Sequence, residues 1–204
     1  MMDFSEKESE QNSDLQPELR LRYEEAVTHY CLISRLNEAA SQIEKLPDLC
    51  VALVNTLIEF TCAENCSIML NDSTTGALNL VVAKGRNDQG FFYGVDGVST
   101  TVFARGEGAA GWAAENAELI SINDCEADKR FIRRESAVKT VNSVICAPLK
   151  AGAKVLGVIN CSHPKKQSFS EKDERAVAQV AEHAGVLLQK ALLIERLKNE
   201  NKDL

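Results

Sequence analysis

The sequence predicts an α+β fold, a central antiparallel sheet flanked by N- and C-terminal helices. Three observations carry this. Strand-like segments come in two pairs, at 66–83 and 143–161, each joined by a short turn. A short turn can link only antiparallel neighbours, because a parallel pair needs a crossover of a dozen or more residues. Helical patterns occupy both ends of the chain, from Pro17 to Lys45 and from Ser170 onward, and helices with an apolar stripe must bury it against another layer.

At 204 residues, one domain with helical extensions is expected. Apolar residues make up 45%, enough for a core of useful size. The net charge of −7 argues against a nucleic-acid partner, which requires a basic surface. No run approaches the roughly 18 apolar residues of a membrane span, so no membrane partner is expected. The acidic start lacks the apolar stretch of a signal peptide, and the expected location is the cytoplasm. Seven cysteines with no Cys-x-x-Cys pair fit a reducing compartment.

Residues 1–16 are mostly Glu, Ser, Asp, Gln and Asn and read as a disordered acidic tail, because they have too little apolar surface to offset ordering entropy. Residues 17–45 read as one long helix. Its second half carries Ile33, Leu36, Ala40 and Ile43 at spacings of three, four and three, a narrow seam suited to a partner helix. Pro47 ends that helix and opens the next, where its missing N–H costs nothing. Cys50, Leu53, Val54, Leu57 and Ile58 then give a wide apolar face for a core-packed helix.

Cys66–Asn71 and Ala77–Ala83 read as strands around the turn-forming Asp72-Ser73-Thr74-Thr75-Gly76. Residues 85–100 hold four glycines and read as a long loop able to close over a ligand. A short strand at Thr101–Ala104 feeds Gly106-Glu107-Gly108-Ala109-Ala110-Gly111-Trp112, and a short helix runs on to Asn116. Leu119–Ile122 is a further strand candidate, and Asp124–Lys139 reads as polar and partly helical. Ser143–Leu149 and Lys154–Cys161 form the second hairpin across Ala151-Gly152-Ala153. Ser170 and Asp173 have the spacing of a capping box at the start of the last helix. Beyond that helix's core-facing residues, Ile194, Leu197, Asn201 and Leu204 continue a coiled-coil-like seam over 194–204.

The spacing Gly-x-Gly-x-x-Gly matches the dinucleotide fingerprint, but that motif needs a crossover helix long enough to reach a parallel strand. Ala109–Asn116 gives only about two turns. The glycines instead permit a tight turn and a close approach of the helix, and the helix N-terminus offers free N–H groups to a polar ligand.

Gly-Glu-Gly-Ala-Ala-Gly-Trp-Ala-Ala-Glu-Asn resembles the signature of GAF domains, small-molecule sensor modules related to PAS domains. Further pieces agree in order: Ile122-Asn123-Asp124 with Asp128-Lys129-Arg130-Phe131, then Ser143–Leu149, Val155–Asn160 and Phe169–Glu174. The resemblance spans about Leu46–Leu193, so 46–193 is taken as the sensor domain. It implies a ligand pocket on the sheet face opposite the terminal helices and a regulatory role in signal transduction; the two coiled-coil-like seams, Ile33 to Ile43 and Ile194 to Leu204, predict a homodimer through the terminal helices. Cyclic-nucleotide-binding members often carry Asn-Lys…Phe-x-x-x-Asp-Glu. Asn160, Phe169, Asp173 and Glu174 match, but Cys161 stands where the lysine belongs, with Lys165 and Lys166 nearby. These residues are also common structural features of the fold.

The expected ligand site lies between the short helix and the segment 131–143. Ala109 and Ala110 leave room at the helix N-terminus, Phe131 forms an apolar wall, and Thr140 and Ser143 supply hydroxyls. The ligand is a small molecule whose identity the sequence leaves open, and so is any cofactor. No catalytic residue or metal site is assigned. Cys62 and Cys66 could be two metal ligands, but no further pair stands near them at ligand spacing. Some GAF-like proteins are methionine sulfoxide reductases working through cysteines. Cys125, expected in an exposed stretch beside Lys129 and Arg130, is the thiol that such an enzyme alternative would use. A third alternative is a dimerising scaffold with an empty pocket. Cys31, Cys50, Cys146 and Cys161 lie in apolar runs and are expected in the core, and His183 is expected to pack.

Overall fold

The computed structural model describes residues 4–42, 45–72, 74–88, 92–93, 102–133 and 140–200. Helices α1 (Phe4–Gln42) and α2 (Leu46–Phe60) come first. Strands β1 (Asn65–Asn71) and β2 (Leu78–Gly85) form the first hairpin, and the two-residue strands β3 (Phe92–Tyr93) and β4 (Val102–Phe103) follow. Then come α3 (Gly108–Asn116), β5 (Ile120–Ile122), the hairpin β6 (Ser143–Ala151) and β7 (Lys154–His163), and α4 (Glu171–Glu200). The sheet order is β3-β2-β1-β7-β6-β5, with β4 also pairing with β2. The pairs are antiparallel, as the hairpin reading requires.

Alternation along the strands divides the core in two. Ile68, Val82, Ile145, Ile159 and Cys161 face α1, α2 and α4, where they meet Leu32, Leu36, Leu53, Leu57, Val180 and Leu188. Met69, Leu78, Val144, Cys146 and Val158 face the other way, toward α3. Pro47 lies in the first turn of α2, as expected. The α4 capping box also forms, because the Asp173 carboxylate accepts from Ser170 N–H at 2.8 Å and Asp173 N–H points at Ser170 Oγ at 3.4 Å. Gly185 lets α4 rest on the β6 backbone, since a Cβ there would meet the Lys150 carbonyl.

Four expectations change. Helix α1 begins at Phe4 rather than Pro17, so the backbone of residues 4–16 belongs to the helix. Glu, Gln and Lys are good helix formers, and a composition too polar for a core does not bar a helix. Leu36 of the first seam is buried in the larger core with Ile33 packed against it, so this seam serves packing within the chain; the side chains of Ala40 and Ile43 lie outside the described residues. Cys31 is exposed rather than in the core. Finally, the described part of 124–139 forms turns rather than helix. Asp124 and Asp128 accept from the backbone N–H two residues on, at 3.0 and 2.9 Å, a local bond that competes with helix. Residues 134–139 and most of the 85–100 loop fall outside the described residues.

Candidate functional site

The turn before α3 uses its glycines in two ways. Gly106 and Gly108 adopt positive φ of 75° and 65°, a region costly for a side chain. Gly111 has ordinary backbone angles but no room, because a Cβ would lie 2.7 Å from the Ala104 carbonyl oxygen and 2.9 Å from the Gly106 carbon. The third glycine therefore seats α3 against its own turn rather than against the sheet. Glu107 closes the turn by accepting from Ala104 N–H at 2.7 Å, and no side chain caps the α3 N-terminus.

Helix α3 lies over the second face of the sheet. Lys150 Nζ reaches the Ala117 carbonyl at its C-terminal end, 3.3 Å away, and Ala109 and Ala110 at its N-terminal end pack in the same cluster as Val144 and Cys146 of β6. Ala109, Ala110 and Ala113 are buried there with Ile120, Ile122 and Cys146. Phe131 is half-buried against the same cluster. Arg130 stands over the Trp112 ring at 5.3 Å and pairs with Asp128 at 2.6 Å. Arg133 lies over Phe131 at 5.9 Å and donates to the Val141 carbonyl at 3.0 Å.

Of the expected site residues, Ala109, Ala110 and Phe131 come together. Ser143 does not join them. It shares the strand alternation of Ile145, which faces the helices, and its buried hydroxyl donates to the Lys165 carbonyl at 2.8 Å. Thr140 is exposed and lines a groove of about 330 Å³ at the end of the sheet, with Asn65, Arg86, Asp88 and Pro164 among its walls. Arg86 holds one wall by donating to the Thr61 and Ala63 carbonyls at 2.6 and 3.0 Å.

The second face also carries polar residues absent from the expected set. Asn65 and Ser67 of β1 stand opposite Ser162 and Asn160 of β7. By alternation all four point to the side of Met69 and Val158, and all four are half-buried. Asn160 Nδ2 donates to Ser67 Oγ at 3.4 Å, while its Oδ1 is buried without a partner among the described residues. The signal in the sequence was polar residues at alternate positions of two otherwise apolar strands.

Cys125 is corrected from exposed to buried, packed in the second core. Burial pushes its thiol up to about 11; Arg133 opposes the rise and Asp124 and Asp128 add to it. The expected cation Arg130 is engaged by Asp128, and among the described residues burial outweighs Arg133, the cation that acts to lower the thiol. Cys50 and Cys146 are buried as expected, and so is Cys161, whose Sγ lies 3.6 Å from that of Cys66. Among the described residues no group of three or more His, Cys, Asp or Glu side chains is placed to hold a metal. His183 is half-buried and bonds Asn37 Oδ1 at 2.9 Å, joining α4 to α1.

The residues matching the cyclic-nucleotide pattern have structural roles. Phe169 is buried in the larger core. Asp173 caps α4 and also accepts from Cys62 N–H at 2.9 Å, fastening the end of α2 to the start of α4. Lys166 does not replace the missing lysine, since it pairs with Asp124 at 3.1 Å and Glu126 at 2.6 Å.

Comparison with known proteins agrees with this architecture. The model of the family described as GAF domain matches residues 45–188. The chain is 26% identical over 198 residues to the dual 3',5'-cyclic-AMP and -GMP phosphodiesterase 11 of Drosophila melanogaster, covering 83% of this chain but 13% of that protein. The GAF domain of a phosphoenolpyruvate-protein phosphotransferase from Coxiella burnetii superposes with a TM-score of 0.70 at 18% identity, over 86% of this chain and 98% of that one. Free methionine-R-sulfoxide reductase from Neisseria meningitidis, solved with its substrate, gives 0.65 at 18% identity, over 86% and 93%. At those identities the structures share the fold alone. No described helix is long and apolar enough to cross a membrane. With a matching family model over most of its length and the glycine turn, α3 and two-faced sheet in place, the chain belongs to the GAF domain family.

Proposed function

We propose that this domain is a cytoplasmic regulatory sensor that binds a small molecule on the α3 face of its sheet and signals through α1 and α4. The observation that carries the reading is the second core. It is small, it is roofed by a helix whose N-terminal N–H groups have no side-chain cap, and it borders half-buried polar residues. A pocket of apolar walls with a few convergent polar groups is the usual form of a small-molecule site. Ala109, Ala110 and Phe131 form the apolar wall, and Thr140 stands at the groove beside it. Cyclic nucleotides are the first ligands to try, because the phosphodiesterase relative is named for them. Titration calorimetry with cyclic GMP, cyclic AMP and a metabolite panel tests this against the wild type and Ala110→Trp. Binding that survives Ala110→Trp unchanged overturns the site.

The output we propose is a homodimer through the terminal helices, by a face other than the first expected seam. Tyr23 and Tyr30 of α1 lie seven residues apart and are 70% and 73% exposed. Val186 and Leu193 of α4 repeat that spacing, with Leu197 four residues on, and all three are exposed. Seven-residue apolar spacing on an exposed helix face suits a second helix. Light scattering of the full chain and of a chain ending at Ala191 tests it; a monomer at micromolar concentration overturns the dimer.

A further inference from the structure

Asn160 has a hydrogen-bonding capacity that the described fold does not use. Its Nδ2 reaches Ser67 Oγ at 3.4 Å, a long bond, and its Oδ1 is buried without a partner among the described residues. Turning the amide over exchanges the spare oxygen for a spare N–H, so one end stays unsatisfied either way. Leaving a buried polar group unpaired is costly, and such groups in native proteins call for an explanation. Ser121 Oγ is also buried without a partner among the described residues, but it lies between Ile120 and Ile122 and so points away from the α3 face.

Three placements say what the spare end is for. Asn160 stands opposite Cys146, whose side chain is in the second core beneath α3. Helix α3 is about 13 Å long at 1.5 Å per residue and is anchored by its C-terminal end at Lys150. Its N-terminal alanines, Ala109 and Ala110, pack in the cluster that holds Cys146. One step along β1 from Ser67 on the same face, Asn65 lines the groove at the end of the sheet. The polar row thus runs from the groove to the foot of α3.

We propose that Asn160 and Ser67 together select the ligand of this domain by reading an uncharged planar edge with an N–H donor beside an acceptor, the edge shared by lactams, carboxamides and nucleobases. Asn160 Oδ1 accepts the ligand N–H. Ser67 Oγ, which accepts from Asn160, keeps its own O–H to donate to the neighbouring ligand acceptor. The inference rests on the ligand site proposed above and adds the chemistry that the site recognises. A ligand carrying only acceptors can pair with the turned-over amide, but Ser67 O–H is then spent on Asn160 Oδ1, so such a ligand makes one bond where the N–H edge makes two and is disfavoured.

The test uses the full chain labelled for protein-observed NMR and a set of lactams, carboxamides and nucleobases, each paired with its N-methylated counterpart. The N–H members are expected to shift the Asn160 side-chain amide signal and to bind about tenfold more tightly than their methylated partners. Asn160→Ala should erase that preference, and thermal melting at or above the wild-type temperature would show the variant folded. Ser67→Ala leaves the Asn160 side chain in place and should weaken the N–H members several-fold. Equal binding of both members, or a preference that survives Asn160→Ala, overturns the inference. In that case shifts at Ala110 and Phe131 would leave the ligand site itself standing. No shift on the α3 face with any member overturns both.

Discussion

The two faces of the sheet are built to different standards of closure. On the helix face, Leu32, Leu53, Leu57, Ile145, Ile159 and Leu188 are wholly buried, and Gly185 brings α4 onto the β6 backbone. On the α3 face, the covering helix has 9 residues against 30 in α4. Small alanines line its underside, and an asparagine oxygen has no partner among the described residues. A layer that is dry and closely packed supplies stability through apolar burial. A layer with small side chains and spare polar capacity contributes less. Dense apolar packing and spare polar capacity thus lie on opposite sides of one sheet, and a strand such as β7 contributes to both through alternate residues.

The sharpest way to break this comparison is to cut each face at one residue. Leu53→Ala on the helix face is expected to cost about 2–5 kcal/mol, read by urea denaturation; a loss below about 1 kcal/mol would mean that the helix layer is not the stabilising one. Gly111→Val tests the other face. Its side chain would strike the backbone of the glycine turn, with an expected cost of about 1–3 kcal/mol. A melting temperature equal to that of the wild type would show that the turn yields freely.

Asp173 sharpens the comparison on the helix side. Burial works against its charge, yet bonds from Ser170 Oγ, Ser170 N–H and Cys62 N–H hold its carboxyl below the usual carboxylate range. A carboxyl with a depressed folded pKa contributes stability above its unfolded value, about 3.9, and loses it as pH falls through the folded value. The melting temperature of the wild type should therefore drop between about pH 5 and pH 2 more than that of Asp173→Asn. Parallel curves for the two proteins would remove Asp173 from the acid response.

The smallest expected effect is chemical. At neutral pH a thiol-labelling reagent should modify the exposed Cys31 first and Cys125 slowly, because burial both shields the Cys125 thiol and keeps it protonated. Mass mapping of a time course reads the order. Labelling of Cys125 ahead of Cys31 would favour thiol chemistry on the α3 face over passive packing.

The sequence by itself determined the elements and most of their order. Alternation in β1, β2, β6 and β7, turn residues at Asp72–Gly76, the Ser170–Asp173 box and the glycines before α3 all act within a few residues, so each could be read where it stands. The α3 side of the candidate site was legible for the same reason, with Ala109 and Ala110 in the first helical turn and Phe131 the large aromatic of a polar stretch. What needed the tertiary structure was which groups meet and which stay dry. Cys125 lies in a polar stretch, yet the turn after Asp124 carries it into the second core. Ser143 sits on a strand beside the site, but the parity of the pleat turns its hydroxyl to the Lys165 carbonyl on the other side. Leu36 has the spacing of an intermolecular seam, and its place is taken within the chain by α2 and α4. The pairing of Asn160 with Ser67 joins residues 93 positions apart, and its unsatisfied oxygen exists only once two strands are in register. Burial and hydrogen-bond satisfaction are properties of the surroundings rather than of the residue, and those surroundings come from distant parts of the chain.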